Sequence, residues 1–356
     1  MTACVCNGPS SLADQMSRRG RIHRAPLALA AALTVIVGVG GGAGVYFAGE
    51  REESGIERVD ELTGVLAANE GPAENYLIVG SDTRDVVDAD AEDAGLFLNG
   101  PTGEGGRSDT IMILRRDPEA GATLLSIPRD LWVPIAGTGE DGKINWAYIG
   151  GPRRLAETIT QALGIPIHHY VEVDFAGFQR LVDELGGVEI CVENAAQDDH
   201  SGLSLQPGCQ TLDGGMALAY ARSRNYREWR EGDWYDEEGA PDLNRIGRQQ
   251  HFLRTAATAV LAEINSNPFR LGDLIDAAGS AVRLDAQVDL VEAGEAMIAA
   301  AKDGMQTFTV PVNGAMIGDQ SALELADGSE QVLDYFRGVG PLPTVTESTG
   351  AVETTS

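Results

Sequence analysis

The stretch Gly106–Asp130, GRSDTIMILRRDPEAGATLLSIPRD, decides the fold of this chain. Two apolar runs within it, Ile111–Leu114 and Ala122–Ile127, have the length of buried strands, and the polar segment between them carries an Asp-Pro step and a glycine, which are typical of turns. We therefore predict a β-hairpin. If its strands pair, the charged residues before the first strand and after the second lie at the same edge of the sheet.

Arginine and aspartate side chains occupy that edge. Arg107, Ser108 and Asp109 precede the first strand, and Arg129 and Asp130 follow the second. Guanidinium groups bind phosphate oxygens in pairs, and carboxylates are ligands for divalent cations. The pattern indicates a site for a phosphate group and a cation. Two surface salt bridges are the alternative interpretation of the same spacing.

Composition limits the class of function. The formal net charge of −28 over 356 residues argues against nucleic acid as a partner, because the phosphates of nucleic acid need a basic protein surface. A hydrophobic content of 43% is sufficient for a folded core. A local arginine cluster can still bind one phosphate group, because the field in a pocket depends mainly on the groups that line it.

The N-terminal region has the pattern of a membrane anchor. Residues 1–26 are polar and carry several arginines, and Leu27–Ala48 contains no charged residue. A helix over Leu27–Ala48 would be about 33 Å long, which matches a hydrocarbon core of roughly 30 Å. The basic side precedes the span and Glu50 follows it, so we predict a cytoplasmic N-terminus and an extracellular remainder. A cleaved signal peptide is the alternative, although its apolar segment is normally shorter.

Along the rest of the chain, predicted strands and helices alternate, which indicates an α/β domain. The predicted strands are 75–80, 170–173 and 189–192, the predicted helices are 153–161, 175–185 and 242–264, and residues 270–337 are predicted to form two helices, a strand at 307–312 and a last helix. Acidic insertions at 85–106 and 228–238 are predicted to be mostly solvated loops. The predicted organisation is a cytoplasmic segment (1–26), a transmembrane helix (27–48), an extracellular linker (49–74), a catalytic domain (75–338) and a disordered tail (339–356).

The cysteines agree with this topology. Cys191 and Cys209 lie on the external side and bracket a polar loop, so we predict a disulfide, which would contribute about 3 kcal/mol in the loop-entropy model. Two separate buried thiols are the alternative. Cys4 and Cys6 lie on the cytoplasmic side and are predicted to be free, because two cysteines alone do not make a zinc site.

Several common catalytic motifs are missing from the sequence. There is no G-x-S-x-G elbow, no Walker A loop and no histidine pair with zinc spacing, and the glycine-rich GVGGGAG lies inside the apolar span. Arginine and aspartate recur instead at the ends of predicted elements: Asp82 and Arg84 follow the first strand, and Arg222 and Arg224 could share one face of an extended segment. Phosphoryl transfer depends mainly on positioning and charge neutralisation, which such residues can supply.

Seven motifs, in order, resemble the LytR–CpsA–Psr family. They are GSDTR (80–84), GRSDT (106–110), SIPRD (126–130), KIN-AY (143–148), DFAGFQRLVDELGGV (174–188), LDGGMALAYARSR (212–224) and D-x-x-R-x-x-RQ (242–249). The resemblance implies a central mixed β-sheet flanked by helices. It also implies a membrane-anchored extracellular enzyme of Gram-positive or related bacteria, here an actinobacterium, that moves a glycopolymer from its polyprenyl-pyrophosphate carrier onto peptidoglycan with formation of a phosphodiester.

The same resemblance implies roles for individual residues. Asp82 and Asp109 would hold Mg²⁺. The groups that would bind the pyrophosphate oxygens are Arg107, Arg129, Arg222, Arg224, Arg245 and Gln249. Arg107, Arg129 and Asp130 would act in catalysis, Asp130 either by orienting neighbouring arginines or by helping to deprotonate the acceptor hydroxyl. The polyprenyl chain would occupy an apolar cleft between the sheet and the helices.

Three other functions are compatible with the sequence. A polyprenyl-pyrophosphate phosphatase would use the same site with water as the acceptor. A regulator of the cell envelope would bind a lipid pyrophosphate without turnover. An external scaffold would use the arginines and aspartates only in salt bridges.

Overall fold

The computed structural model describes residues 57–69, 71–81, 108–266, 281–288 and 306–343. The predicted transmembrane helix 27–48, the insertion 85–106 and most of the predicted tail lie outside these ranges. Among the described residues, no helix has both the length and the apolar character needed to cross a bilayer.

Strands form most of the regular structure. In chain order they are β1 (Glu57–Arg58), β2 (Glu74–Ser81), β3 (Ser108–Asp117), β4 (Gly121–Ser126), β5 (Trp132–Pro134), β6 (Asp141–Lys143), β7 (His169–Asp174), β8 (Val188–Val192), β9 (Ala196–Asp198), β10 (Leu203–Leu205), β11 (Gly208–Leu212), β12 (Arg227–Arg230), β13 (Asp233–Asp236), β14 (Val282–Leu284), β15 (Gln306–Thr309), β16 (Val312–Ile317) and β17 (Gln320–Leu325). The α-helices are α1 (Gly151–Leu163), α2 (Phe175–Glu184), α3 (Gly214–Arg222), α4 (Pro241–Ser266) and α5 (Ser329–Arg337), and two short 3₁₀ helices cover Asp60–Leu62 and Ile144–Gly150.

A mixed sheet of seven strands lies at the centre, in the order β1-β14-β7-β2-β3-β4-β15. β3 runs antiparallel to its two neighbours β2 and β4, whereas β7 runs parallel to β2 and β15 runs parallel to β4. The predicted mixed α/β fold is therefore confirmed. The predicted hairpin is also confirmed, since β3 and β4 pair directly with Met112 opposite Ser126.

Helices cover both faces of this sheet, which explains why its central strands are continuously apolar. On one face, α1 and α5 join Leu77, Ile113 and Leu125 in a buried core. On the other face, Ile78 and Met112 line a pocket whose opposite wall is formed by α2, α3 and α4. The C-terminal end of β2 and the start of β3 therefore lie beside a pocket that is covered by three helices.

The two helices predicted between residue 270 and the strand at 307 fall mostly on residues 267–280 and 289–305, which lie outside the described ranges. The predicted last helix is confirmed as α5, and the described part of this region contains more strands than the sequence indicated. β14 adds a strand to the central sheet, and β16 and β17 form an extra hairpin. The predicted strand 307–312 is divided between β15 and β16. The break falls at Pro311, which has no N–H to donate to a strand partner.

The insertion 228–238 is not a solvated loop, as the sequence suggested. Its residues form the hairpin of β12 and β13, which joins β9 and β10 in a four-stranded sheet. The two-residue turn Glu231-Gly232 has positive φ at both positions, 53° and 91°. This is the backbone geometry of the tight turns that join twisted antiparallel strands, and the sequence signal for it was a single glycine.

A stability measurement checks this assignment of the core. Leu125 is fully buried in β4, so we expect Leu125→Ala to lower the free energy of unfolding by about 3 kcal/mol through lost burial and the cavity left behind. Met316→Ala is the matched control, because Met316 is 69% exposed and its change is expected to stay within about 0.5 kcal/mol. Urea denaturation followed by circular dichroism measures both, and equal effects would contradict the assignment.

Candidate active site

The ends of the central hairpin meet as the sequence predicts. Asp109 lies three residues before Met112 in β3, and Arg129 lies three residues after Ser126 in β4, so the antiparallel register brings both to one edge. The Arg129 Nη1 atom forms an ion pair with the Asp109 Oδ1 atom, and both side chains are only partly exposed. The two charged clusters therefore form one site.

Asp242, in the first turn of α4, connects three arginines. Its Oδ1 atom accepts hydrogen bonds from Arg224 Nη2 at 2.7 Å and Arg245 Nη2 at 2.8 Å, and it lies 3.4 Å from Arg129 Nε. Burial raises the pKa of the Asp242 carboxyl, but the charges of Arg245, Arg224 and Arg129 outweigh this effect and hold the pKa below its ordinary value. Asp242 is therefore a carboxylate that keeps these guanidinium groups together.

Arg245 and Gln249 lie one turn apart on α4 and contact the start of β3. Arg245 is 2% exposed, and its Nη1 atom donates to the Asp109 carbonyl oxygen at 2.6 Å. Gln249 Nε2 donates to Thr110 Oγ1 at 3.0 Å and to the Ala221 carbonyl oxygen at 3.1 Å. The predicted face of α4 that carries Arg245 and Gln249 is thus bound both to the start of β3 and to the end of α3.

Buried polar atoms in this cluster remain unsatisfied. Within the described part of the chain, the Nε atoms of Arg129 and Arg245, the Oε1 atom of Gln249 and the Oδ2 atom of Asp242 have no hydrogen-bond partner. Buried polar groups without partners are unfavourable and uncommon in folded proteins. Two unsatisfied guanidinium donors that lie close together are suited to the oxygens of a bound anion.

Arg222 and Arg224 do not share one face of an extended segment, which corrects the prediction for them. Arg222 is the last residue of α3, and its guanidinium carbon lies 4.4 Å from the centre of the Phe175 ring. The chain becomes extended only at Ser223. Arg222 therefore points into the pocket lining, whereas Arg224 turns to Asp242.

The segment that carries Arg224 is held by a buried carboxylate that the sequence did not single out. Asp198 Oδ2 accepts hydrogen bonds from Ser223 Oγ at 2.7 Å and from the backbone N–H groups of Arg224 and Asn225, both at 2.9 Å. Burial raises the pKa of Asp198, but these hydrogen bonds and one from the His200 backbone lower it below its ordinary value. Asp198 fixes the backbone from which Arg224 extends.

Asp130 faces Lys143 at the end of β6. Its Oδ1 atom lies 3.1 Å from Lys143 Nζ, and its Oδ2 atom lies 4.0 Å from Arg129 Nε. The backbone N–H of Asn145 donates to the Arg129 carbonyl oxygen at 3.2 Å. The KIN motif therefore supports the backbone of Arg129 and supplies a counter-charge to Asp130.

An apolar pocket adjoins the arginine cluster, between the sheet and helices α2, α3 and α4, where the sequence analysis expected an apolar cleft. Its charged and amide lining includes Asp109, Arg222, Arg245 and Gln249, which belong to the site. Its apolar lining comes from the sheet and from all three helices and includes Ile78, Met112, Phe178, Leu181, Leu218 and Phe252. A ligand with an anionic group and a long apolar tail matches this lining.

Three predicted site residues, Asp82, Arg84 and Arg107, lie outside the described ranges. Ser81 ends β2 and is paired with Ser108, the first residue of β3.

The comparisons with known proteins agree with this architecture. The family model described as the LytR_cpsA_psr family matches residues 47–334. The chain belongs to the LytR_cpsA_psr family. The most similar solved structures include the LytR-Csp2A-Psr enzyme from Actinomyces oris, with 26% sequence identity, a TM-score of 0.59, and coverage of 79% of this chain and 95% of that one.

Two curated proteins are also similar to this chain in sequence. The probable cell wall biosynthesis protein LcpB of Corynebacterium glutamicum is 36% identical over 263 residues, which cover 73% of this chain and 59% of LcpB. TagU of Halalkalibacterium halodurans, named a polyisoprenyl-teichoic acid–peptidoglycan teichoic acid transferase, is 38% identical over 219 residues, which cover 59% of this chain and 67% of TagU. The match thus spans little more than half the length of LcpB.

The disulfide predicted for this LytR_cpsA_psr member is confirmed. Cys191 in β8 and Cys209 in β11 are directly opposite each other and are joined by a disulfide. It closes the segment that contains β9 and β10, and this segment includes Asp198. The crosslink therefore restricts the part of the chain that holds the backbone of Arg224.

Asp242 was missed as a site residue although the sequence carried a signal for it. It is the first residue of the motif D-x-x-R-x-x-RQ, and on a helix it is a neighbour of Arg245, three residues later. Asp198 had no comparable signal, because it lies in a polar loop and its partners are about 25 residues away along the chain.

Replacing Asp242 tests its role in holding the arginines. We expect Asp242→Asn to lower the free energy of unfolding by about 3 kcal/mol, because a partly buried arginine cluster loses its shared carboxylate. In the wild type, the pKa of the Asp242 carboxyl is lower in the folded protein than in the unfolded chain. The stabilisation by Asp242 is therefore fully present above about pH 4 and is lost as the pH falls through the folded-state pKa. Denaturation of both proteins at a series of pH values measures the difference.

Asp319→Asn is the control, because Asp319 is exposed in the turn between β16 and β17. A change in stability as small as that of the control, or one that persists unchanged at the lowest pH, would contradict the role given to Asp242.

Proposed function

We propose that the protein is a membrane-anchored extracellular phosphotransferase that moves a glycopolymer from a polyprenyl-pyrophosphate carrier onto peptidoglycan. The observation that carries the proposal is the junction of the arginine cluster with the apolar pocket. The donor has the same two parts, a doubly anionic pyrophosphate and a long apolar chain. The family membership and the printed name of the relative TagU support the same reaction class.

The two parts of the donor bind to different parts of the site. The pyrophosphate oxygens bind to the guanidinium groups of Arg129, Arg222, Arg224 and Arg245 and to the amide of Gln249, and the family resemblance adds Arg107 to this set. The polyprenyl chain extends into the apolar pocket, where its burial is favourable in proportion to the area removed from water. Binding of both parts fixes the phosphorus atoms relative to the arginines.

The reaction is a displacement at phosphorus. The acceptor hydroxyl oxygen forms a bond to the phosphorus that carries the glycopolymer, and the bond from this phosphorus to the bridging oxygen breaks. The electron pair of that bond leaves with polyprenyl phosphate, and the product is a phosphodiester. The hydroxyl proton passes to a base, for which Asp130 is our candidate, and Arg129 stabilises the charge that develops on the phosphoryl oxygens.

The residues at the sheet edge fit Mg²⁺. Asp109 supplies a partly exposed carboxylate, and Asp82 comes directly after Ser81, the last residue of β2, in the sequence. Mg²⁺ in proteins is usually held by one or two carboxylates together with substrate phosphates and waters, so two aspartates are sufficient. When bound, Mg²⁺ would neutralise charge on the pyrophosphate oxygens.

The location of the protein is part of the proposal. The apolar segment Leu27–Ala48 would anchor the chain with its catalytic domain outside the cell, where both peptidoglycan and lipid-linked polymers are present. The disulfide between Cys191 and Cys209 supports an oxidising compartment.

Loss of a single site arginine tests the assignment. We expect Arg129→Ala to reduce transfer of a labelled glycan from prenyl pyrophosphate to a peptidoglycan oligomer by about 100-fold or more, because a preorganised donor to the phosphoryl oxygens is lost. Arg153→Ala is the matched control, since Arg153 is an exposed arginine on α1 that pairs with Glu157 and donates to the Glu61 carbonyl oxygen, away from the site. Mass spectrometry of the acceptor measures the product, and equal rates for both variants would contradict the proposal.

Removal of divalent cations tests the metal. We expect EDTA to abolish transfer and added Mg²⁺ to restore it, and we expect Asp109→Asn to raise the Mg²⁺ concentration needed for half-maximal rate by roughly tenfold or more, because one anionic ligand is lost. Transfer that continues in EDTA at the original rate would rule out the proposed cation.

A further inference from the structure

The hairpin of β12 and β13 carries two adjacent tryptophans, of which Trp229 is exposed and Trp234 is half-buried. Trp229 and Trp234 are directly opposite each other, and their rings meet edge to face with centroids 5.4 Å apart. Arg227 and Asp236 are also opposite each other and lie two residues away, so they share the face of the tryptophans. We call this set of four residues the tryptophan face.

Cross-strand aromatic pairs stabilise hairpins by themselves, so the pairing alone does not indicate a ligand. The exposure does. Trp229 is 43% exposed, although a side chain of this size contributes most to stability when it is buried. Beside the rings, Arg227 Nε and Asp236 Oδ1 lie 3.4 Å apart, and both side chains are open to solvent. The face therefore offers aromatic rings together with accessible hydrogen-bond donors and acceptors.

The two ends of the hairpin of β12 and β13 lie at the arginine site. Arg224 precedes it, Asp242 follows it, and the Arg224 Nη2 and Asp242 Oδ1 atoms that close its base are 2.7 Å apart. Just inside this ion pair, the backbone N–H of Glu237 donates to the Tyr226 carbonyl oxygen at 2.9 Å. The Cα atom of Trp229 is at most about 18 Å from that of Arg224, because only five residues of chain separate them.

The hairpin is also rigid. Its turn has only two residues, and Glu231 is the only non-glycine residue with positive φ in the described part of the chain. β12 is held from the side by β9, where Arg227 pairs with Gln197. The carboxylate of Glu237, directly after β13, is ion-paired with the nearly buried Arg248 of α4. The tryptophans are therefore kept at a fixed distance from the site.

We propose that the tryptophan face binds the sugar rings next to the pyrophosphate of the lipid-linked donor, an inference that rests on the proposed function. A pyranose ring has an apolar face of C–H groups, which packs on an indole ring, and hydroxyl groups at its edge, which bind arginine and carboxylate side chains. The donor rather than the acceptor is assigned to this face because the base of the hairpin is formed by Arg224 and Asp242, the groups that hold the donor's pyrophosphate.

The charge of the hairpin tip argues against a membrane surface as the partner. Exposed aromatic residues also occur where proteins meet a bilayer. However, Glu231 and Asp233 stand at the tip and are exposed, and an anionic lipid surface repels carboxylates. Sugar rings, which are neutral where they stack, are not repelled.

Binding measurements with two ligands test the inference. The full chain is purified in detergent and titrated with a prenyl pyrophosphate that carries an N-acetylhexosamine disaccharide, and separately with the same prenyl pyrophosphate without sugar. We expect Trp229→Ala to weaken binding of the sugar-bearing ligand about tenfold, which corresponds to about 1.4 kcal/mol, and to leave binding of the sugar-free ligand within twofold of the wild type.

Two further variants separate a contact with sugar from a change in the hairpin. Trp229→Phe keeps an aromatic ring and should retain most of the affinity for the sugar-bearing ligand. Tyr235→Ala removes a similarly exposed ring, 45% exposed, from the opposite face of the same hairpin and should change neither affinity. Equal losses for both ligands in Trp229→Ala, or no loss for either, would overturn the inference.

Two further outcomes would also overturn the inference. If Trp229→Ala weakens binding to phosphatidylglycerol vesicles while the affinity for the two ligands changes equally, the face binds membranes and not sugar. If the wild type fails to bind the sugar-free prenyl pyrophosphate, the proposed function itself fails, and the inference fails with it.

Discussion

The site depends on one carboxylate that holds three guanidinium groups together. Without Asp242, the side chains of Arg129, Arg224 and Arg245 would repel one another across a partly buried volume, where charges interact more strongly than in water. Asp242 reduces this repulsion but does not cancel it, since the three arginines face two carboxylates, Asp242 and Asp109, and the Asp130 carboxylate is shared with Lys143. The remaining positive charge is suited to the doubly anionic ligand that we propose.

The fold places this arginine cluster beside an apolar pocket. The hairpin of β3 and β4 positions Asp109 and Arg129, α3 ends at Arg222, and α4 begins beside Asp242. Because α3 and α4 also form walls of the pocket, the elements that position the charged groups also bury the apolar lining. The proposed donor, which has an anionic pyrophosphate and an apolar chain, therefore meets charged and apolar groups that suit both of its parts in one arrangement of secondary structure.

Much of this was predictable from local patterns, and the failures have physical causes. The apolar runs of β3 and β4 are buried on both faces and so have a strong sequence signal, and the Arg/Asp clusters followed from them. The hairpin of β12 and β13 was missed because its exposed strands are rich in charge and carry no apolar periodicity. Asp198 was missed because its partners are distant in the sequence, so only the folded chain shows that it fixes Ser223 and Arg224.

The central claim is that this site transfers a phosphoryl-linked glycopolymer to another sugar. The most direct measurement uses a donor with ³²P at the phosphorus next to the sugar, incubated with the full chain, Mg²⁺ and a peptidoglycan oligomer. We expect the label to appear in the peptidoglycan product, in a phosphodiester, together with unlabelled polyprenyl phosphate. Label released as free sugar phosphate, or label that stays in intact donor bound to the protein, would contradict the account.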